Sequence, residues 1–209
     1  TIDIQSLWWQ RGWAGVVPPE QDKRTLKDIA FFSNDCVSLD SVFGARYVQA
    51  LKRYGIKVRS YGSCLQSNDV DFIDVRNPLD VFRTMQRYKL VLIWETTRTM
   101  DYITESVYWA LAAGAIPVYY GAPNIHEHMP SPDPEQAPCL IDASRFRDPA
   151  DLARVIRQVL SDQSEYNKYH KWRLLPWRHT LSAQHSIFRS GPESFTCQLC
   201  KWYMDRVGA

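Results

Sequence analysis

The sequence predicts a Rossmann-like α/β fold, built on a doubly wound parallel sheet. Three observations carry this reading: four short apolar runs suited to buried strands, helical spacing of apolar residues between most successive runs, and short links marked by glycine or proline. Alternating strands and helices imply a parallel sheet covered on both faces. Right-handed crossovers make such a sheet doubly wound, and its ligands sit beyond the carboxyl ends of the strands.

Taken in order, residues 1–27 read as an irregular arm. Val16-Val17-Pro18-Pro19 breaks any helix, and Trp8, Trp9 and Trp13 have the character of anchors that dock the arm on a partner surface. Asp28 to Ser33 is the first apolar strand. A helix follows from near Asp40 or Ser41, with Phe43, Tyr47, Val48 and Leu51 on one face, and Gly55 ends it. Ile56 to Tyr61 forms the second strand, closed by Gly62. Pro78 opens a short helix through Met85, and Lys89 to Trp94 is the clearest buried strand. The next helix spans Tyr102 to Ala113, burying Ile103, Val107, Ala110 and Leu111. Gly114 stops it before the strand Ala115 to Tyr120, which should lie in one sheet with the first three. Cys139 to Ile141 is a shorter strand. Asp148 then caps a helix with Pro149 at its first position, and Leu152, Val155, Ile156, Val159 and Leu160 face inward. The Rossmann-like unit thus covers 28–162. Residues 163–209 form aromatic-rich helices and a tail packed on it.

Composition excludes several function classes. The chain has 209 residues, long enough to bury about two-thirds of its unfolded surface without metals or disulfides. The net charge of +2 comes from interspersed Lys, Arg, Asp and Glu, so the basic stripe of a nucleic-acid reader is missing. No run of about 18 apolar residues spans a membrane. Thr1 to Trp13 lacks the apolar stretch of a signal peptide, so the expectation is a soluble chain or one whose targeting segment has been removed. There is no G-x-G-x-x-G, no Walker-type loop and no G-x-S-x-G elbow, which argues against a simple dehydrogenase, a P-loop enzyme or a hydrolase.

The most informative stretch runs from Tyr88-Lys89 through Trp94-Glu95, then Asp101-Tyr102-Ile103-Thr104-Glu105, then Ala113-Gly114-Ala115-Ile116-Pro117-Val118 to Gly121-Ala122-Pro123. Physically it is a strand, a polar loop, a helix N-terminus and a strand ending in a glycine turn. Free backbone N–H groups at that helix start suit an anion such as a pyrophosphate. Glu105 in the first turn either accepts hydrogen bonds from sugar hydroxyls or merely complements the helix dipole.

This stretch resembles the signature of the α1,3-fucosyltransferase family over about 35 residues, far longer than a short motif. Weaker similarity covers roughly residues 28 to 200. It includes Phe32-Ser33-Asn34, Tyr61-Gly62-Ser63-Cys64, Phe146-Arg147-Asp148-Pro149, Tyr169-His170-Lys171-Trp172-Arg173 and the pair Cys197 and Cys200. The resemblance implies the donor-binding half of a GT-B glycosyltransferase, with 28–162 as the nucleotide-sugar-binding unit. It implies transfer of fucose from GDP-fucose to a glycan acceptor with inversion, no metal or other cofactor, and a Golgi lumenal location. The base would come from an acceptor half, for which the roughly 27 residues before the first strand leave no room. Donor-binding candidates are Ser33, Asn34, Arg46, Glu95, Thr96, Tyr102, Thr104, Glu105 and Ser106, with Glu105 positioning the donor.

The chain departs from the family pattern at charged positions. Ser106 stands where the family carries a phosphate-facing Lys, Gly44 where it carries an Arg, and Trp94-Glu95-Thr96 replaces Phe-Glu-Asn. Arg46 or Arg98 are the candidate substitutes. Helix N–H groups alone supply about half a charge to a departing diphosphate. The expectation is therefore slow fucose transfer by this chain alone, or none. A second reading stays open: a catalytically impaired domain serving as an accessory subunit of a larger assembly, docked through the Trp-rich arm.

The remaining chemistry-bearing residues have ordinary readings beside sharper ones. Cys197 and Cys200 are two metal ligands without the two further ones a zinc site needs. His126-Glu127-His128 follows the glycine turn and opens a short helix, where alternate side chains diverge. Cys36 and Cys64 follow the carboxyl ends of adjacent strands. They are either a disulfide, in an oxidising compartment, or two thiols.

Overall fold

The computed structural model describes residues 28–174 except 35, 37, 38, 72 and 132. The arm with its Trp anchors and the tail with Cys197 and Cys200 lie outside the described residues. The strands are β1 (Ile29–Phe32), β2 (Val58–Tyr61), β3 (Leu90–Trp94), β4 (Ile116–Tyr120) and β5 (Ile141–Asp142). Between and after them come α1 (Leu39–Arg53), α2 (Pro78–Met85), α3 (Glu105–Ala112), α4 (Pro149–Ser161) and α5 (Gln163–Lys168). The strands form one sheet in the order β2-β1-β3-β4-β5, and every pairing is parallel. The four expected strands are neighbours, with β5 added at one edge.

Alternation along each strand divides the core in two. Ile29, Phe31, Leu90, Leu92, Ile116 and Val118 point to one face, where Val48 and Leu51 of α1 meet Leu152, Ile156 and Val159 of α4. Ala30, Val91, Ile93 and Tyr119 point to the other, beneath Val81 and Met85 of α2 and Val107, Ala110 and Leu111 of α3. Both faces are therefore covered, which is why the strands read as unbroken apolar runs rather than alternating ones. Tyr166 of α5 closes the first core and Trp172 the second.

Local sequence accounts for the helix boundaries. Asn77 caps α2 by accepting from the Leu79 N–H at 3.1 Å, with Pro78 at the first helical position. Asp148 does the same for α4 through the Ala150 N–H at 2.8 Å, ahead of Pro149. The helix expected from Tyr102 begins only at Glu105. Its N-cap, Thr104, has extended backbone and turns its hydroxyl away from the helix. Strand starts shift one or two residues inward, and the segment expected at 139–141 pairs only at Ile141 and Asp142. α1 begins at Leu39, slightly ahead of Asp40.

Candidate functional site

After β1 the chain passes to β2 on one side and then returns to β3 on the other. The order therefore reverses between β1 and β3, and a cleft is expected outside their carboxyl ends. Two adjoining compartments open there. One compartment of about 280 Å³ is walled by Phe32 at the end of β1, Ser33 and Asn34 after it, the end of β3, α2, and Thr104, Glu105, Ser106 and Trp109 of the α3 entry. A second, of about 370 Å³, adjoins it beyond β2 and is lined by Tyr61, Gly62, Ser63 and the 70–76 segment. Asn34, Val75 and Arg76 belong to both walls.

Three ties fix the loops on the β1 and β2 side. Cys36 and Cys64 form a disulfide with Cα atoms 5.3 Å apart, which resolves the two readings of that pair. Asn34 accepts from the Ser63 N–H through Oδ1 at 3.1 Å, and its carbonyl accepts from Ser63 Oγ at 2.9 Å. The Cys64 N–H reaches back to the Ser33 carbonyl at 3.0 Å.

Glu95 anchors the opposite rim. Its carboxylate is buried at 5% exposure and accepts, through one oxygen, from the Thr104 N–H at 2.9 Å and the Thr104 hydroxyl at 3.1 Å. Burial pushes its pKa up. The Thr104 hydrogen bonds oppose that shift, and neighbouring Glu105 adds to it. Gly121 is required here, because a Cβ at that position would stand 2.4 Å from Glu95 Cγ. Since Thr104 spends its hydroxyl on Glu95, it places no side-chain cap over α3. The first turn of α3 therefore opens on the cleft with Glu105 and Ser106 at its edge.

The loop between Glu95 and Thr104 has a further tether at Asp101, which takes a left-handed conformation with φ 61°. Its N–H donates to Asn124 Oδ1 at 3.0 Å, and its carboxylate accepts from Asn124 Nδ2 at 2.7 Å and pairs with His128 at 2.9 Å. His126 instead faces Asp142 at 3.2 Å. The two histidines of the His-Glu-His run thus diverge into separate hydrogen-bonded pairs on a 3₁₀ turn, Ile125–His128. Among the described residues no group of three His, Cys, Asp or Glu is placed to hold a metal ion. Cys139 is a buried thiol whose pKa burial pushes up to about 12, which leaves it unreactive.

The predicted residues divide into three sets. Ser33, Asn34, Thr104, Glu105 and Ser106 line the cleft together. Glu95 lies beneath it as the loop anchor, while Thr96 and Tyr102 are exposed and hydrogen-bond each other at 3.0 Å. Arg46 is exposed on α1 and lines neither compartment, and Arg98 lies over the Tyr120 ring, 5.6 Å from its centroid. Sequence reasoning passed over Arg76, the single cationic side chain lining the cleft among the described residues. Its signal was its place, immediately before the Asn77-Pro78 helix start at the carboxyl edge of the sheet. Gly44 is accounted for as well: a Cβ there would meet Trp94 Cδ1 at 2.7 Å. The two departures from the family pattern, at 44 and 94, are one packing arrangement.

A doubly wound parallel sheet with a cleft at its switch point and an uncapped helix N-terminus on the rim defines a Rossmann-like α/β domain. Residues 23–207 match the family described as Glycosyltransferase family 10 (fucosyltransferase) C-term, and the chain belongs to that family. It is 37% identical over 160 residues to GDP-fucose protein O-fucosyltransferase 3 of Mus musculus and 34% identical to that of Homo sapiens; each alignment covers 73% of this chain and 31% of the relative. The corresponding protein of Xenopus tropicalis is 30% identical over 204 residues, covering 88% of this chain and 41% of the relative. The matched region spans 31% to 41% of the length of these curated relatives. Among solved structures, an alpha1,3-fucosyltransferase with GDP superposes with a TM-score of 0.63 over 94% of this chain and 52% of that one, at 15% identity. At that identity the likeness speaks for the fold alone.

Proposed function

We propose that this chain is the donor-binding half of a fucosyltransferase, holding GDP-fucose in the cleft between β1 and β3. The observation that carries the reading is the uncapped first turn of α3 at the topological switch point, inside a chain of the fucosyltransferase family. The diphosphate would rest on the N–H groups that open α3, where the helix dipole favours negative charge. Glu105 would accept hydrogen bonds from donor hydroxyls. Ser33 and Asn34 would meet the donor from the β1 side, and Glu95 would hold the Thr104 backbone in place. In the transfer, the bond from the fucose anomeric carbon to the diphosphate oxygen breaks as a bond to the acceptor oxygen forms. The acceptor proton passes to a carboxylate of the acceptor half, and GDP leaves with the electron pair.

The acceptor class follows from the relatives' names. A glycan hydroxyl is the reading given by the α1,3-fucosyltransferase resemblance. The identity of 30–37% to proteins named for protein O-fucosylation favours a protein hydroxyl as the second reading. The Cys36–Cys64 disulfide supports an oxidising compartment of the secretory pathway as the place of action. Calorimetric titration with GDP tests the donor reading. Saturable binding below millimolar GDP is expected, weakened by Glu105→Ala. Absence of binding at millimolar GDP favours the accessory-subunit reading instead.

A further inference from the structure

A departing diphosphate needs a cation beside it, and neither family position supplies one: residue 44 is glycine and residue 106 is serine. We infer that Arg76 supplies this charge, binding the diphosphate of the donor from the 70–76 segment, across the cleft from the α3 N-terminus. The inference rests on the donor reading above and adds the residue that neutralises the leaving group.

Three observations place Arg76 in this role. It stands on the wall common to both compartments, where a nucleotide spanning them would carry its diphosphate. It is also the one cation lining either compartment among the described residues, whereas Arg46 and Arg98 line neither. Finally, its backbone is fixed while its guanidinium tip remains available. The Arg76 N–H and Nε–H both donate to Asp74 Oδ1, at 3.0 and 3.2 Å, and the Asn77 N–H donates to the Asp74 carbonyl at 2.9 Å. Asn77 in turn caps α2. No hydrogen bond to a described residue engages the two terminal nitrogens, and the side chain is 84% exposed. A guanidinium held through Nε with its outer edge free has the geometry that takes phosphate oxygens in bidentate fashion.

The rest of the second compartment fits the other part of such a ligand. Its lining includes Gln66 and Asp71, whose amide oxygen and carboxylate are acceptors that suit the N–H donors of a purine base. The base would then sit beyond β2, the diphosphate at Arg76 and the sugar beside Glu105.

The test is isothermal titration of the full chain with GDP at several salt concentrations, comparing wild type with Arg76→Ala, Arg76→Lys and Arg46→Ala. Arg76→Ala should lower GDP affinity about 10-fold or more, the loss of a charge-assisted phosphate contact. Its affinity should also depend less on salt than that of wild type, because screening then has one fewer charge to act on. Lysine at the position should restore part of the affinity, and Arg46→Ala should leave it unchanged. Unchanged GDP affinity and salt dependence in Arg76→Ala, with wild type binding normally, overturns the assignment of Arg76 and leaves the donor reading standing. Failure of wild type to bind GDP at all overturns both.

Discussion

Gly44 and Trp94 are in contact across the α1–β3 boundary: a Cβ on residue 44 would lie 2.7 Å from Cδ1 and 3.2 Å from Cγ of the indole. Trp94 is also wedged between Tyr47, at a ring-centroid distance of 5.4 Å, and Tyr120, at 5.8 Å, so it has little freedom to withdraw. The indole occupies the space through which a side chain at position 44 would have to leave the helix. A glycine at position 44 is therefore compatible with this packing at the end of β3, and a larger side chain is not.

This relationship predicts a reversal of sign. Gly→Ala inside a helix ordinarily stabilises by up to about 1 kcal/mol. Here Gly44→Ala should instead destabilise, by about 1–3 kcal/mol, as overpacked core substitutions do. In a Trp94→Ala background the obstruction is gone, and the same change should become neutral or favourable. Urea unfolding of the four proteins of this double-mutant cycle measures the coupling. Strict additivity would show that the two positions do not share this space.

Glu95 yields a prediction about pH. Burial holds its pKa above the ordinary carboxylate value. Between that ordinary value and the folded one, the folded protein keeps a proton that the unfolded chain has lost. The contribution of this group to stability is thus fully present below the ordinary value and declines as pH rises through the window. Glu95→Gln retains an oxygen for the Thr104 N–H and hydroxyl but never ionises. It should be at least as stable as wild type at pH 7 and should lack this part of the pH dependence. Glu95→Ala strands both Thr104 donors and should cost about 1–3 kcal/mol. Thermal melts of both variants from pH 4 to 8 decide the matter; equal loss in both would mean that the charge itself stabilises the loop.

The disulfide predicts a link between redox state and the cleft. Cys36 and Cys64 are 28 residues apart, and closing a loop of that size is worth about 3–4 kcal/mol in the chain-entropy account. Reduction, or Cys36→Ser, should lower the urea midpoint accordingly. Because Asn34 and Ser63 flank the bridge and tie the loops after β1 and β2 into one rim of the cleft, GDP affinity should fall as well. Unchanged GDP affinity in the reduced protein would show that the Asn34–Ser63 hydrogen bonds position this rim unaided.

Much of the fold was legible because each strand is buried on both faces. Lys89 to Trp94 and Ala115 to Tyr120 could hardly be read otherwise, and Asn77-Pro78 and Asp148-Pro149 mark helix starts by local chemistry alone. The entry to α3 was less legible. Apolar periodicity reaches back to Ile103, but the start is set by Glu95, nine residues upstream, through its hold on Thr104. The site followed the same division. Glu105, Ser106, Ser33 and Asn34 could be placed because they sit at strand and helix ends. Arg46 was drawn in by its closeness to Gly44 in sequence, yet it points to solvent. Arg76 was invisible to motif reading because it belongs to the irregular stretch before α2, whose path depends on the Asp74 turn.

The final prediction concerns Ser106, the second residue of α3, on the cleft wall beside the helix N-terminus. Ser106→Lys places a cation where the family carries one. A lysine in the first turn opposes the helix dipole and should cost a few tenths of a kcal/mol up to about 1 kcal/mol in stability. Beside a bound diphosphate the same charge is worth about 1.5–3 kcal/mol, so GDP should bind about 10- to 100-fold more tightly. The gain should be larger for GDP than for GMP, since the second phosphate is the one that a leaving group charges further. If Arg76 already neutralises the diphosphate, Ser106→Lys should still recover much of the affinity lost in Arg76→Ala, because either cation reduces the same negative charge. Titration of wild type, both single variants and the double variant with GDP and GMP measures all of these quantities. A Ser106→Lys variant that folds normally but binds GDP no better than wild type would place the diphosphate elsewhere than at the start of α3.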